Sequence, residues 1–290
     1  MTQAGSVRIY HGDNLQVLRS LQSDSFQLIY VDPPFNTGRR QTRTSLSTRL
    51  DAAGDRIGFK GQRYTTKVLG SQSYADRFDD YLAFLEPRLV EAHRVLTARG
   101  SILVHLDYRE VHYVKVVLDQ IFGRKCFINE IIWAYDYGAR SRQRWSPKHD
   151  NILFYAKDPK HYCFRLDEVD RIPYMAPDLV GAEKAARGKT PTDTWWHTIV
   201  SPNGKEKTGY PTQKPRGVID RIVKVHSAPG DTLLDFFAGS GTFGESAASN
   251  GRNVVLVDSQ SSAIAVMKRR LSRFAIDMEE WRQSDDSSDR

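Results

Sequence analysis

From Thr232 to Asp258 the chain reads strand, glycine turn, helix, strand and acid, an order that leaves few folds open. Thr232-Leu-Leu-Asp235 is a short apolar strand, Phe236-Phe-Ala-Gly-Ser-Gly-Thr242 a turn, and Asn253-Val-Val-Leu-Val257 a buried-type strand ending at Asp258. Two strands joined through a helix lie parallel, because a crossover of that length is not a hairpin. Gly239 and Gly241 allow positive φ and let a ligand approach the backbone. The free amides at Thr242 and Phe243 face such a ligand and suit its carboxylate. Asp258 stands where a strand-end acid accepts both hydroxyls of a ribose. The turn lacks the third glycine of the pyrophosphate pattern, and no Lys-Ser or Lys-Thr of a phosphate loop follows. The expected ligand is a nucleoside without phosphates rather than NAD or ATP, although a bare strand-to-helix turn would use the same glycines.

A second stretch, Leu28-Ile-Tyr-Val-Asp-Pro-Pro-Phe-Asn36, is a strand that stops at a carboxylate, two prolines and a ring. Pro33 and Pro34 fix φ and offer carbonyls without N–H groups. Asp32 and the Pro33 carbonyl can each accept one proton of a planar amino group, while Phe35 stacks on the ring that carries it. These are the parts of a pocket for a nucleobase amine. A strand followed by Asp-Pro-Pro is also an ordinary turn.

The remaining pattern alternates. A strand is predicted at Val7–Tyr10, followed by a turn where Asp13 is either an N-cap or a ligand-binding acid. Leu15, Leu18 and Leu21 have helical spacing, as do Leu82, Leu85, Leu89, Ala92 and Leu96. Strands at 101–106, 129–133 and 151–156, and a helix with Val218, Ile219, Ile222 and Val225 on one face, complete the set. The fold class is α/β, a Rossmann-like and mostly parallel sheet with helices on both faces. Between the strands at 129–133 and 151–156, Arg140, Arg142, Arg144 and Lys148 interleave with Tyr135, Tyr137 and Trp145. That mixture suits nucleic acid or a solvated hairpin tip. Residues 157–207 dissolve into prolines and charges and read as a small inserted lobe rather than sheet core, with the pair Trp195-Trp196 buried beneath it.

Charge narrows the partners. The 290-residue chain carries a formal net charge of +7, which favours a polyanion. The excess concentrates after the Asp-Pro-Pro turn, where Arg39, Arg40, Arg43, Arg49, Arg56, Lys60, Arg63 and Lys67 oppose only Asp51 and Asp55. This stretch, 36–75, shows little periodicity and is expected to be a loop that stays mobile until it meets a phosphate backbone. Cys126 and Cys163 have no partner at ligand spacing, so neither a metal site nor a disulfide framework is expected. No apolar run approaches the roughly 18 residues of a membrane span, and Met-Thr-Gln-Ala-Gly-Ser is unlike a signal peptide, which points to the cytoplasm. The tail, 277–290, reads as frayed.

In combination these motifs resemble the amino-directed DNA methyltransferases that use S-adenosylmethionine. In that family Asp-Pro-Pro-Phe is a catalytic motif and Phe-x-Gly-x-Gly the cofactor motif, here Phe237-Ala-Gly239-Ser240-Gly241. The catalytic motif comes first, and Thr-Gln-Lys-Pro215 leads into the helix before the cofactor motif, an order that looks like the permuted β class. Val104-His-Leu-Asp107, Ile121-Phe-Gly123, Glu130-Ile-Ile-Trp133 and His149-Asp-Asn-Ile-Leu-Phe-Tyr155 also look like that class. The resemblance implies a circularly permuted methyltransferase fold with a catalytic half (1–156), a target-recognition region (157–207) and a cofactor half (208–276). It makes Asp32, Pro33, Pro34 and Phe35 catalytic, and gives Asp13, Lys214, Asp235, Phe237, Gly239, Ser240, Gly241, Thr242 and Asp258 to S-adenosylmethionine. Phe236 stands where the family commonly has proline.

The expected activity is methylation of adenine N6 at a specific sequence of double-stranded DNA, with the base flipped into the pocket. Arg39, Arg40, Arg43, Arg140, Arg142, Arg144 and Lys148 would hold the DNA backbone. Asp rather than Ser at position 32 is the form usual for adenine, and cytosine N4 is the first alternative. An RNA methyltransferase and a DNA-binding protein without catalysis follow. A homodimer is implied by the resemblance alone, and a companion restriction endonuclease is neither inferred nor excluded.

Overall fold

A computed structural model of the chain describes residues 4–37, 39–50, 56–57, 63–76, 78, 80–137, 140–201 and 204–281, with 39–50, 56–57, 64 and 66–76 described by backbone alone. In chain order its strands and helices are β1 (Val7–His11), α1 (Asn14–Ser20), β2 (Phe26–Val31), β3 (Arg39–Leu50), β4 (Arg56–Ile57), β5 (Arg63–Asp76), α2 (Tyr81–Val95) and β6 (Leu96–Leu106). There follow α3 (Val111–Phe122), β7 (Phe127–Ala134), β8 (His149–Ala156), α4 (Ala182–Arg187), β9 (Thr194–Trp196), α5 (Arg216–His226), β10 (Thr232–Asp235), α6 (Thr242–Ser249), β11 (Asn253–Asp258), α7 (Ser261–Leu271) and β12 (Ile276–Glu280).

Residues 1–35 and 80–290 form one compact unit. Its sheet has nine strands in the order β12-β1-β11-β10-β2-β6-β8-β7-β9. The first six are mutually parallel; β8 is antiparallel to both β6 and β7, and β9 is parallel to β7. Helices cover both faces, as the two-residue period of β8 makes plain. The Tyr155 hydroxyl donates to the Lys115 carbonyl of α3 at 3.2 Å, whereas the neighbouring Phe154 packs on His226 of α5, with ring centroids 4.5 Å apart. Val218, Ile219 and Ile222 of α5, Phe243 of α6 and Ile264 and Met267 of α7 close over Leu28, Tyr30, Leu233 and Leu256 in one apolar core. Burial on both faces is why these strands read as near-continuous apolar runs.

Four expectations are corrected. The stretch 36–75 is not without regular structure: residues 36–79 form a second compact unit, a three-stranded antiparallel sheet in the order β3-β5-β4. Its Thr-, Ser- and Arg-rich sequence draws β propensity from threonine without an alternating apolar face, so periodicity gave no signal. The pair Trp195-Trp196 is split, because consecutive strand residues face opposite ways. Trp195 is buried beneath the Arg221 guanidinium, while Trp196 is 72% exposed. Both belong to β9, which hydrogen-bonds to β7, so residues 157–207 do contribute to the sheet. At the other end, residues 277–280 are paired in β12 against β1, whereas 282–290 lie outside the described residues. Among the described residues no helix is long and apolar enough to cross a membrane.

Candidate active site

Strands β2 and β10 are parallel neighbours, with Leu28 opposite Leu233 and Ile29 opposite Leu234. From β10 the chain crosses through α6 to β11 on one side; from β2 it passes to β6 on the other. In open α/β sheets the crevice at the carboxyl ends of such diverging strands is where ligands bind. Asp235 ends β10 and Asp32 directly follows β2, so the glycine turn and the Asp-Pro-Pro-Phe motif open into this one crevice. Tyr30 of β2 stacks on Phe243 of α6 at 5.5 Å, packing the two motifs together from below.

Pro33 is buried, and Asp32, Pro34 and Phe35 are half-buried. Lys214 Nζ lies 2.8 Å from Asp32 Oδ2 and 4.7 Å from the centre of the Phe35 ring. Asp32 Oδ1, shielded from solvent, has no hydrogen-bond partner among the described residues. A buried acceptor left unmade is costly, and this one belongs to the residue that directly follows β2. The structure therefore brings Lys214, expected near the cofactor, onto the carboxylate of the Asp-Pro-Pro-Phe motif.

In the glycine turn, Gly239 has φ 48° and Gly241 φ 73°. A Cβ on Gly239 would meet the Tyr210 ring at 3.1 Å, and one on Gly241 would meet Met267 Cγ at 2.8 Å. Asp258 Oδ2 accepts from Gly239 N and Oδ1 from Gln260 N, both at 2.8 Å, fixing the carboxylate at the end of β11. Asp235 accepts from Phe237 N at 2.9 Å. Burial, with the charges of Asp32 and Asp258, pushes the Asp235 carboxyl well above the usual range, and burial raises that of Asp258. Crowded carboxylates of this kind favour a cationic ligand and disfavour a polyphosphate. Phe237 is half-buried against Phe84. The Ser240 and Thr242 hydroxyls, both buried, lie 3.0 Å apart, and α6 begins at Thr242, directly after the glycine turn, where the first amides of a helix have no intrahelical partners. Phe236, in place of proline, is fully buried.

Asp13 caps α1, accepting from Leu15 N and Gln16 N at 3.0 and 3.1 Å, and its second oxygen meets Arg88 at 3.2 Å. Two residues beside it went unassigned in the sequence. Asn14 donates to the Phe236 carbonyl at 2.7 Å, and Arg88, buried in α2, donates to the Asn14 side chain at 2.6 Å. They pin the start of the glycine turn, yet 222 residues separate Asn14 from Phe236, and no local spacing announces such a bond.

His105 was also given no role. Buried in β6, it lies 2.8 Å through Nδ1 from the Tyr30 hydroxyl and 3.1 Å through Nε2 from Asp150 Oδ2. Burial and the charges of Asp32, Asp235 and Asp150 raise the Tyr30 phenol well above its ordinary value. The phenol thus keeps its proton, and the imidazole bridges it to Asp150 through its two ring nitrogens. Burial works against the charge on Asp150, but the hydrogen bond and charge of His105, with the charge of Lys214, hold its carboxyl below the usual value. Tyr135 donates to the other oxygen of Asp150 at 3.1 Å, and the His105 ring lies 6.1 Å from that of Phe35. This chain of contacts runs from the aromatic of the motif to the foot of the β7–β8 hairpin.

Arg140, Arg142 and Arg144 at the tip of that hairpin are exposed and Lys148 is half-buried. The side chains of Arg39, Arg40 and Arg43 lie outside the described residues. No group of three or more His, Cys, Asp or Glu that could hold a metal occurs among the described residues, and Cys126 and Cys163 are unpaired and half-buried.

A family model described as DNA methylase matches residues 26–269. The chain is similar to the type II methyltransferase M.HpaI of Haemophilus parainfluenzae, 29% identical over 264 residues that cover 91% of this chain and 74% of that protein. To the DNA adenine methyltransferase YhdJ of Escherichia coli K12 it is 28% identical over 276 residues, 91% of this chain and 82% of the relative. Among solved structures, the complex of M1.HpyAVI with SAM superposes with a TM-score of 0.58 at 20% identity, covering 91% of this chain and 98% of that one.

Proposed function

The chain belongs to the DNA methylase family, and on that premise we propose that it transfers the methyl group of S-adenosylmethionine to N6 of adenine in a specific sequence of duplex DNA. The observation that carries this reading is the Asp32 carboxylate. One of its oxygens is held by Lys214 and the other is buried without a partner, at the crevice shared with the glycine turn.

An exocyclic amine is a poor nucleophile because its lone pair is delocalised into the ring. Accepting its two protons at Asp32 Oδ1 and the Pro33 carbonyl favours a pyramidal nitrogen whose lone pair points along the transfer axis. Phe35 holds the plane of the base, and Lys214 keeps the carboxylate in register. Bound on the glycine turn, S-adenosylmethionine supplies an electrophilic methyl on a sulfonium cation. Gly239 and Gly241, both at positive φ, would carry the turn's backbone past it, the first amides of α6 and Lys214 would bind its carboxylate, and Asp258 would accept from its ribose. The carboxyl groups of Asp32, Asp235 and Asp258 clustered there suit its positive charge, which would ease the ionisation that burial opposes at Asp235 and Asp258.

A base stacked in a duplex cannot enter such a crevice, so the target nucleotide is flipped out at a cost of roughly a few kcal/mol. Exposed arginines at 140, 142 and 144 contact the phosphates of the deformed strand. Adenine is preferred over cytosine because Asp stands at position 32 and because the relative YhdJ is a DNA adenine methyltransferase. The test is incubation with plasmid DNA and methyl-labelled cofactor, followed by hydrolysis to nucleosides. N6-methyladenine is expected; label only in N4-methylcytosine overturns the adenine assignment, and no label in DNA overturns the reading. Single-molecule sequencing of the product DNA then gives the recognition sequence.

A further inference from the structure

Trp145 is 98% exposed, at the tip of the β7–β8 hairpin. A whole indole in water is unusual for a side chain that is highly buried on average. Its position is set by the tip itself. Ser141 N donates to Ser146 Oγ at 2.9 Å, and Gln143 N and Arg144 N donate to Ser141 Oγ at 3.2 and 3.3 Å. These bonds close residues 141–146 into a turn that leaves the indole outside.

The sheet register puts the stem of this hairpin at the same end of the sheet as the candidate active site. Val31, which precedes Asp32, pairs with Val104; two residues on, Leu106 pairs with Asn151; and the ladder of β7 and β8 ends where Ala134 meets His149. One more backbone bond, Tyr135 N to Lys148 O at 2.9 Å, carries the stem past the sheet edge. The stem is tied to the site through Tyr135, Asp150 and His105 as far as the Phe35 ring. Exposed Arg140, Arg142 and Arg144 precede the indole in the same tip and give it positive charge, so the surface that meets the Trp is a polyanion and not an apolar protein face.

We propose that Trp145 is a wedge that enters the duplex when the target base leaves it, stacking against the orphaned partner base and occupying the vacated space. The inference rests on the reading of the chain as a base-flipping DNA methyltransferase and adds the residue that holds the helix open. Apolar side chains inserted between base steps serve elsewhere to hold unstacked DNA; here the arginines grip the phosphates while the indole replaces the lost stacking.

The test compares two synthetic duplexes carrying the mapped recognition sequence, one with the target adenine paired to thymine and one with it opposite an abasic site, where flipping meets little resistance. For Trp145→Ala, kcat/KM on the paired duplex is expected to fall at least tenfold, while on the abasic duplex it stays within twofold of the unaltered protein. Trp145→Phe, which keeps a ring, is expected to recover most of the loss on the paired duplex. An equal loss on both duplexes assigns Trp145 to backbone contact and overturns the wedge; so does an unchanged rate on the paired duplex. Failure of the unaltered protein to methylate either duplex overturns the underlying reading and the wedge with it.

Discussion

The ammonium of Lys214 lies 2.8 Å from Oδ2 of Asp32, with both side chains almost out of solvent at 11% and 15% exposure. One residue leads into α5 and the other follows β2; only the completed sheet brings them together. The pairing divides the carboxylate into an oxygen fixed by charge and an oxygen left to accept from a substrate, and it places a cation over the motif's aromatic ring. Several expectations turn on that arrangement.

Asp32→Ala removes the free acceptor. Methyl transfer is expected to fall by about 10²–10³-fold or more, the usual loss for one transition-state hydrogen-bond partner, while DNA and cofactor affinities persist. Single-turnover rates with both Kd values decide it; turnover within a few fold of the unaltered protein contradicts the role of this carboxylate.

Lys214→Met separates two roles for the lysine. If its work is to orient Asp32, kcat at saturating S-adenosylmethionine drops by about tenfold or more, since misplaced reacting groups cost rate even when bound. A purely cofactor-binding lysine would instead raise KM for S-adenosylmethionine and leave kcat alone.

Gly241→Ala tests the turn. At φ 73°, with Met267 Cγ 2.8 Å from the new Cβ, an L-residue costs about 1–2 kcal/mol, before any displacement of Met267. A Tm lower by a few degrees and weaker cofactor binding by calorimetry are expected. Unchanged values for both would mean that the turn does not need a glycine.

His226 gives the protein an acid sensitivity. It is fully buried, and burial depresses its pKa from 6.5 to about 4. Between those values the unfolded chain binds a proton that the folded chain refuses, so stability is intact above pH 6.5, falls as the pH drops towards 4 and levels off below. The full loss is about 3 kcal/mol at 1.36 kcal/mol per unit. Denaturant melts from pH 7 to 4 on the unaltered protein and on His226→Leu should differ in slope, with the variant flatter; parallel curves refute the assignment.

Replacing Arg140, Arg142 and Arg144 together by Ala should weaken binding to duplex DNA and make it less sensitive to salt. Three lost phosphate contacts reduce the slope of log K against log salt by about 2 to 3. Cofactor affinity should not change, and an unaltered salt slope would remove the hairpin tip from the DNA interface.

Sequence legibility followed the range of the interaction. Strand cores such as Leu28–Val31 and Leu233–Asp235, the helical face of Val218, Ile219 and Ile222, and the glycine turn were all readable, because each is specified by neighbours within a few residues. The split of Trp195 from Trp196 could have been anticipated from strand alternation had β9 been recognised, but a three-residue edge strand has no period to detect. Strands β3 and β5 escaped for a related reason: their ladder joins Arg39 to Asp76 and Leu50 to Tyr64 through backbone groups, which every sequence carries.

By itself, then, the sequence determined an α/β pattern, a nucleoside-type glycine turn and an Asp-Pro-Pro-Phe motif. Tertiary structure decided that the two motifs share a crevice, that Lys214 engages Asp32, that Asn14 and Arg88 fix the Phe236 carbonyl, and that His105 joins Tyr30 to Asp150. Strand order and burial create those contacts, since a buried polar group bonds to whatever partner the packed sheet brings within about 3 Å, however distant that partner is along the chain.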